Sequence, residues 1–159
     1  MRDEELARAA TLRGEDRHEE ARSVLAALAE QHPDDGEVAR AAAYVHDYLG
    51  LEHEAVPYYE RALELGSEDR IGVLTGFGST LRVIGRYADA LAIFDQGLTE
   101  FPGDPALRAF RTMALHNLGR DREAISGLLT LVSEGDQTGG YARAIAYYAD
   151  NLDEVVKPA

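Results

Sequence analysis

The chain has 159 residues, 45% of them hydrophobic, and carries 29 acidic against 16 basic side chains for a formal net charge of −13. That is enough chain for one folded domain, while the charge opposes attraction to phosphate backbones and anionic lipid, so neither nucleic acid nor a membrane is expected as partner. There is no cysteine, which removes disulfides, thiolate metal sites and thiol nucleophiles. No apolar run reaches the length of a membrane span, and the start, MRDEELARAA, is charged and amphipathic rather than a cleavable leader, so a cytoplasmic location is expected.

Helices are predicted at about 2–14, 17–31, 36–49, 52–65, 70–84, 87–100, 105–118 and 121–134, with a ninth near 140–155. An acidic residue followed by alanine recurs in every second helix, as Glu20-Ala21, Glu54-Ala55, Asp89-Ala90 and Glu123-Ala124, at spacings of 34, 35 and 34. A period of this length is one helix-turn-helix unit. Four units follow, at about 2–35, 36–69, 71–104 and 105–136, with 137–159 left for a connection and a capping helix.

In the first helix of each unit, Ala9, Ala43, Gly78 and Thr112 keep one register, and Leu12, His46, Leu81 and Leu115 another. The second helices place Leu25, Tyr59, Phe94 and Leu128 at one position, with Leu28, Ala62, Gly97 and Leu131 three residues on. Small residues let helix backbones approach and the larger ones fill the space between, so all of these positions are assigned to the core. Between paired helices stand Gly50, Gly85 and Gly119, where a left-handed residue ends a helix at no steric cost; Asp16 replaces glycine in the first unit. Pro33 and Pro102 close the first and third units, Ser67 and Asp136 take that place in the others, and Asp104-Pro105 reads as an N-cap and first helical residue.

Several local features carry expectations of their own. Pro57 lies inside a predicted helix and implies a kink or a late helix start. Gly72, Gly76 and Gly78 weaken the helix before Leu81, which then depends on its neighbours. His46 replaces a core aliphatic and is expected to be partly buried with a hydrogen-bond partner, whereas His18 and His32 are expected at exposed repeat edges. GDQTGG, from Gly135 to Gly140, is a connection, and the ninth helix places Tyr141, Ile145, Tyr148 and Leu152 on a stripe that should cover the end of the fourth unit, with Asp150, Asp153 and Glu154 filling the rest.

The third unit carries Phe77-Gly78, Gly85-Arg86-Tyr87, Asp89-Ala90, Phe94 and Pro102 in order. In this it resembles the tetratricopeptide repeat family, whose units show a Leu-Gly pair, a Gly-Arg-Tyr turn, a Glu-Ala pair and a closing proline. The resemblance runs from the start of the chain to Asp136 and implies an all-α solenoid of about four units plus a C-terminal cap. Two units depart from the pattern. The fourth has Arg108 and Arg111 where large apolar residues are usual, with Leu107 and Phe110 shifted by one, which implies a slightly rotated helix. The first has Glu5 and Arg8 there, as a terminal repeat facing water would.

Chemistry is sparse. His32, Asp34, Asp35 and Glu37 lack a calcium-loop spacing and read as helix-capping residues, so no metal is assigned. The serines have no nucleophile-elbow context, and Gly76-Phe77-Gly78 lacks the lysine and the strand of a phosphate loop; neither an enzyme nor a cofactor is expected. The family resemblance implies a peptide-holding concave surface lined by the first helices. Here those helices present Arg40, Tyr44, Asp47 and Tyr48, then Thr75, Ser79 and Arg82, then Met113, His116 and Asn117. Arginines and tyrosines on an otherwise acidic chain suit an acidic or carboxylate-ended segment, with room for its backbone beside Gly72 and Gly76. The lysine and asparagine clamp of chaperone-tail-binding members is absent, since Leu6, Ala10, Arg40 and Tyr44 stand in its places. The reading is therefore a non-catalytic adaptor or scaffold for an unidentified peptide or protein segment. Its alternative is a self-associating homodimer that pairs through the C-terminal stripe or a face around Tyr58.

Overall fold

A computed structural model describes residues 1–135 and 138–152, and among these every regular element is a helix. They are α1 (Arg2–Gly14), α2 (His18–Gln31), α3 (Gly36–Tyr48), α4 (Glu52–Leu65), α5 (Arg70–Val83), α6 (Tyr87–Glu100), α7 (Pro105–Asn117), α8 (Asp121–Ser133) and α9 (Ala142–Asp150). The first eight begin and end within a residue of the predicted spans. The ninth is shorter than its predicted span, and Asp136, Asp153 and Glu154 lie outside the described residues.

One hydrogen bond repeats at each turn between paired helices. Arg17, Leu51, Arg86 and Arg120 donate their backbone N–H to the carbonyls of Leu12, His46, Leu81 and Leu115, at 2.9, 2.9, 2.8 and 2.9 Å. This is the six-to-one closure of a helix C-terminus and requires a left-handed residue just before the donor. Gly50, Gly85 and Gly119 supply it with φ of 71°, 84° and 72°, and Asp16 takes the same conformation at 62°. The first helices of the second to fourth repeats share another device, an aspartate N-cap: Asp35 accepts from the N–H groups of Glu37 and Val38, Asp69 from Gly72, and Asp104 from Leu107.

The chain forms two compact units, Met1–Arg86 with α1 to α5 and Tyr87–Ala159 with α6 to α9. In the first, Ala9, Leu12, Ala21, Leu25, Ala42 and Val45 make one apolar cluster joining α1, α2 and α3, and Leu28, Ala29 and Val38 make another. Tyr59 of α4 stacks on Phe77 of α5 with centroids 5.6 Å apart. His46 is buried as expected; its Nδ1 donates to the Ala42 carbonyl at 2.7 Å and its ring meets Tyr58 at 4.9 Å.

In the second unit, Phe94 of α6 and Phe110 of α7 stack at 6.1 Å, and Leu107 and Leu115 are fully covered. Leu107 approaches α6 at Gly97, where any Cβ would come within 2.9 Å of a Leu107 methyl. The two arginines of the fourth repeat turn outward into ion pairs, Arg108 with Glu134 and Arg111 with Asp95.

Four expectations are corrected. Of the kink or late start expected at Pro57, the late start does not occur: the chain enters α4 at Glu52 and stays helical through Pro57, which lies exposed in the second turn. His18 is not an exposed edge residue: its side chain is only 14% exposed, because Tyr48 stacks on it at 3.9 Å. Leu128 is 43% exposed although its counterparts Leu25, Tyr59 and Phe94 are buried, because α8 has few described residues packed over that side. The stripe of α9 is likewise turned: Tyr141 and Tyr148 are 71% and 54% exposed, while Ala149 is buried. Alanine, with no bulk to accommodate, lets α9 come close to α8 beside Glu123 and Gly127.

Candidate functional site

The face proposed from sequence divides between the units: Arg40, Tyr44, Asp47 and Tyr48 on α3 and Thr75, Ser79 and Arg82 on α5 belong to the first, Met113, His116 and Asn117 on α7 to the second. In the first unit α3 touches α5, and hydrogen bonds within and between α3, α4 and the start of α5 engage several of the polar residues along them. Tyr44 donates its hydroxyl to Asp69 at 2.9 Å, so the aspartate that caps α5 is also held from α3. Burial, then the Asp69 carboxylate, pushes the Tyr44 hydroxyl pKa well above its ordinary value, and it stays a neutral donor. Tyr59 from α4 makes the corresponding bond to Asp47 at 2.8 Å, and burial followed by the Asp47 charge pushes its pKa up as well.

Two of the glycines of α5 lie against these tyrosines, Gly72 also against the Asp69 carboxylate. A Cβ at Gly72 would stand 2.5 Å from the Tyr44 hydroxyl, and one at Gly76 would stand 2.5 Å from that of Tyr59. The space beside Gly72 and Gly76 is therefore filled from within the fold, which corrects the expectation that a ligand backbone lies there.

Arg40 is also engaged. Its Nε and Nη2 both donate to Glu37 Oε2, at 2.9 and 2.6 Å, and its guanidinium lies 5.5 Å from the centre of the Tyr44 ring. The other oxygen of Glu37 accepts the N–H of Glu68, tying α3 to the approach of α5. Thr75 returns its hydroxyl to the Ile71 carbonyl at 2.8 Å. Ser79 and Arg82 are half-buried further along α5, and Tyr48 is 63% exposed above His18. In the second unit Met113 is 42% exposed, Asn117 is half-buried, and His116 Nδ1 meets Asp121 at 2.6 Å on an exposed surface.

A cleft of about 150 Å³ opens between α1 and α3, with Leu6, Ala10 and Arg13 on one wall, Glu37, Arg40 and Ala41 on the other, and Leu25 beneath. Only Arg40 of these was singled out from sequence as a site residue. Arg13 is a polar lining residue that the predicted face did not include. It occupies the repeat position of Asp47, Arg82 and His116, so stepping the predicted face back by one period would have found it. Its Nε is buried with no hydrogen-bond partner, and its side chain forms no ion pair among the described residues.

The helix pairs, the left-handed turns and the aspartate caps at 35, 69 and 104 define a helical repeat of the tetratricopeptide kind. The family model for the tetratrico peptide repeat matches residues 36–152, most of the chain, and the protein belongs to this family. A crystal structure of YrrB, a TPR protein with an unusual peptide-binding site, superposes with a TM-score of 0.71 at 23% identity, covering 92% of this chain and 75% of that one. At that identity the likeness is one of fold. No curated protein matches the sequence. Among the described residues, no helix is long and apolar enough to cross a membrane.

Proposed function

We propose that this protein is a non-catalytic interaction module that holds a segment of a partner protein along the first helices of its N-terminal unit. The observation that carries the reading is the cleft between α1 and α3, lined by apolar side chains together with Arg13, Arg40 and Glu37. Membership of a family of repeat proteins and the peptide site described for YrrB support it. The polar groups on α3 and α5 are spent on holding the repeats together, which favours a rigid platform over a catalytic constellation. The test is cross-linking mass spectrometry of the partner recovered with the full chain. Cross-links confined to α1, α3 and α5 support the reading, and cross-links confined to residues 87–152 overturn it.

Self-association is the second reading, and it rests on the other unit. There Ile125, Leu128 and Val132 of α8 are 48%, 43% and 49% exposed at helical spacing, and Tyr147 and Tyr148 of α9 are half-exposed. Sedimentation over a hundredfold concentration range checks it: a monomer throughout removes this reading, and a dimer dispersed by Leu128→Glu establishes it.

A further inference from the structure

Arg13 carries an unbalanced charge. Every other arginine described on the first helices of the N-terminal unit has an interaction: Arg2 binds Asp35, Arg8 meets Glu5, Arg40 binds Glu37, Arg70 donates to the Leu63 carbonyl, and Arg82, whose Nε is also buried without an acceptor, has contacts through the rest of its side chain. Arg13 ends α1 with its Nε–H covered by protein and given no acceptor. Burial of Nε without an acceptor costs free energy, and because protein covers Nε the charge can be balanced from outside only at the Nη groups, which have no partner among the described residues. Glu37, the acid in the same cleft, does not serve, because one of its oxygens takes both Arg40 donors and the other takes the Glu68 N–H.

The rest of the cleft fixes the shape of the missing acceptor. At about 150 Å³ it has room for one side chain and not for a peptide backbone, and Leu6, Ala10, Ala41 and Leu25 line it with methyl and methylene surface beside Arg13 and Arg40. A glutamate side chain matches this lining, with two methylenes against the apolar walls and a carboxylate on Arg13. The molecule as a whole carries −13, so a polyacidic segment is repelled at a distance. Resting on the peptide-binding reading above, we propose that the cleft between α1 and α3 is a specificity pocket for a single internal glutamate of a peptide ligand whose flanking residues are neutral or basic, with Arg13 as the residue that reads it.

The experiment is selection of dodecamers from a displayed random-peptide library on the full chain, followed by synthesis of enriched sequences in Glu and Gln versions, capped at both ends. Calorimetric titration into wild type, Arg13→Met and Arg13→Lys then forms a double-mutant cycle. The expected result is one shared glutamate among enriched peptides, a loss of about tenfold or more on its replacement by Gln in wild type, and no such loss in Arg13→Met. The Arg13→Lys protein should keep the preference for Glu in weakened form, because the point charge remains while the planar fork is lost. Enriched peptides that bind wild type and Arg13→Met alike, with Glu and Gln equivalent, overturn this inference and leave peptide binding standing. A shared aspartate, or an uncapped C-terminal carboxylate needed for binding, overturns the assignment to glutamate. Selection that enriches nothing overturns the peptide-binding reading with it. The Glu-to-Gln comparison in wild type does not depend on how any protein variant folds.

Discussion

Leu25 in the first unit and Leu128 in the second hold the same repeat position, yet Leu25 is 1% exposed and Leu128 is 43% exposed. The contrast extends to whole helices. On α2 the residues Ala21, Leu25, Leu28 and Ala29 are buried, whereas on α8 only Ala124 is, despite a comparable supply of apolar side chains. A side chain in a repeat is buried only where a neighbouring helix lies directly over it: Leu25 sits in the cluster that joins α1, α2 and α3, whereas α9 packs on α8 and leaves Leu128 uncovered among the described residues. The units also treat their aspartate caps differently: Asp35 and Asp69 are gripped by Arg2 and Tyr44 from neighbouring helices, while the Asp104 carboxylate accepts only the Leu107 N–H among the described residues. In the first unit the caps themselves are tied across repeats, whereas in the second the ties between helices are the ion pairs of Arg111 with Asp95 and Arg108 with Glu134 beside the stacking of Phe94 on Phe110.

The sharpest way to break this comparison is the same substitution at both leucines. Leu25→Ala should cost about 2 to 5 kcal/mol, as large-to-small changes in a packed core do, and Leu128→Ala less than about 1 kcal/mol, measured by urea unfolding. Equal costs would mean that Leu128 is covered in solution, which is what self-association through α8 requires.

Second in size is a pair of glycines. A Cβ at Gly36 would lie 1.8 Å from the backbone oxygen of Gly66, whereas at Gly97 it would meet only Leu107 methyls, at 2.9 Å. Backbone cannot yield as a side chain can, so Gly36→Ala should cost about 3 kcal/mol or more. Gly97→Ala should cost about 1 kcal/mol or less, since alanine returns roughly 1 kcal/mol of helix propensity. Hydrogen exchange across α3 and α6 tells the two effects apart, with faster exchange expected around α3 only.

The caps come third. Asp35 loses two helix bonds and its link to Arg2 on replacement, so Asp35→Ala should cost about 2 kcal/mol against about 1 kcal/mol for Asp104→Ala. Hydrogen bonding from Arg2, then from the Val38 and Glu37 amides, holds the Asp35 carboxyl pKa below its ordinary value. A depressed pKa stabilises the fold above the unfolded carboxylate value and loses that contribution as pH falls through the folded one. The stability gap between wild type and Asp35→Ala should therefore be constant near neutrality and shrink only below about pH 4. A gap that closes between pH 6 and 7 would place its origin elsewhere.

Most of the fold was written in the sequence because a repeat states its pattern several times over. The 34-residue period located each helix pair, and the glycine at every inner turn was legible even where Asp16 stood in for it. Occupancy was not legible. Nothing in the local pattern distinguishes Leu128 from Leu25, since burial depends on which helix comes next. On the candidate face, composition identified Arg40 and Tyr44 as arginine and tyrosine but could not reveal that Glu37 and Asp69 already engage them, because those partners come from another turn or another repeat. The repeat register marks Arg13 through Asp47, Arg82 and His116, but that it lacks a partner among the described residues is a property no spacing records.

The smallest effect reverses sign between the two units. Asp16 holds the left-handed position at φ 62° and Gly119 holds it at 72°, and no atom lies within 4 Å of a Cβ built at Gly119, so the exchange there tests backbone preference alone. Asp16→Gly relieves the left-handed strain of a side-chain-bearing residue, at the expense of a more flexible unfolded chain and of the exposed contact from Asp16 to His18 at 3.0 Å. The balance should favour the variant by about 0.5 kcal/mol, with a small rise in Tm. Gly119→Asp should move Tm the other way by a cost of about 1 kcal/mol. If both substitutions destabilise, the His18 contact outweighs the backbone term, and the pairing of Asp16 with His18 beneath Tyr48 is then a structural element of the first turn in its own right.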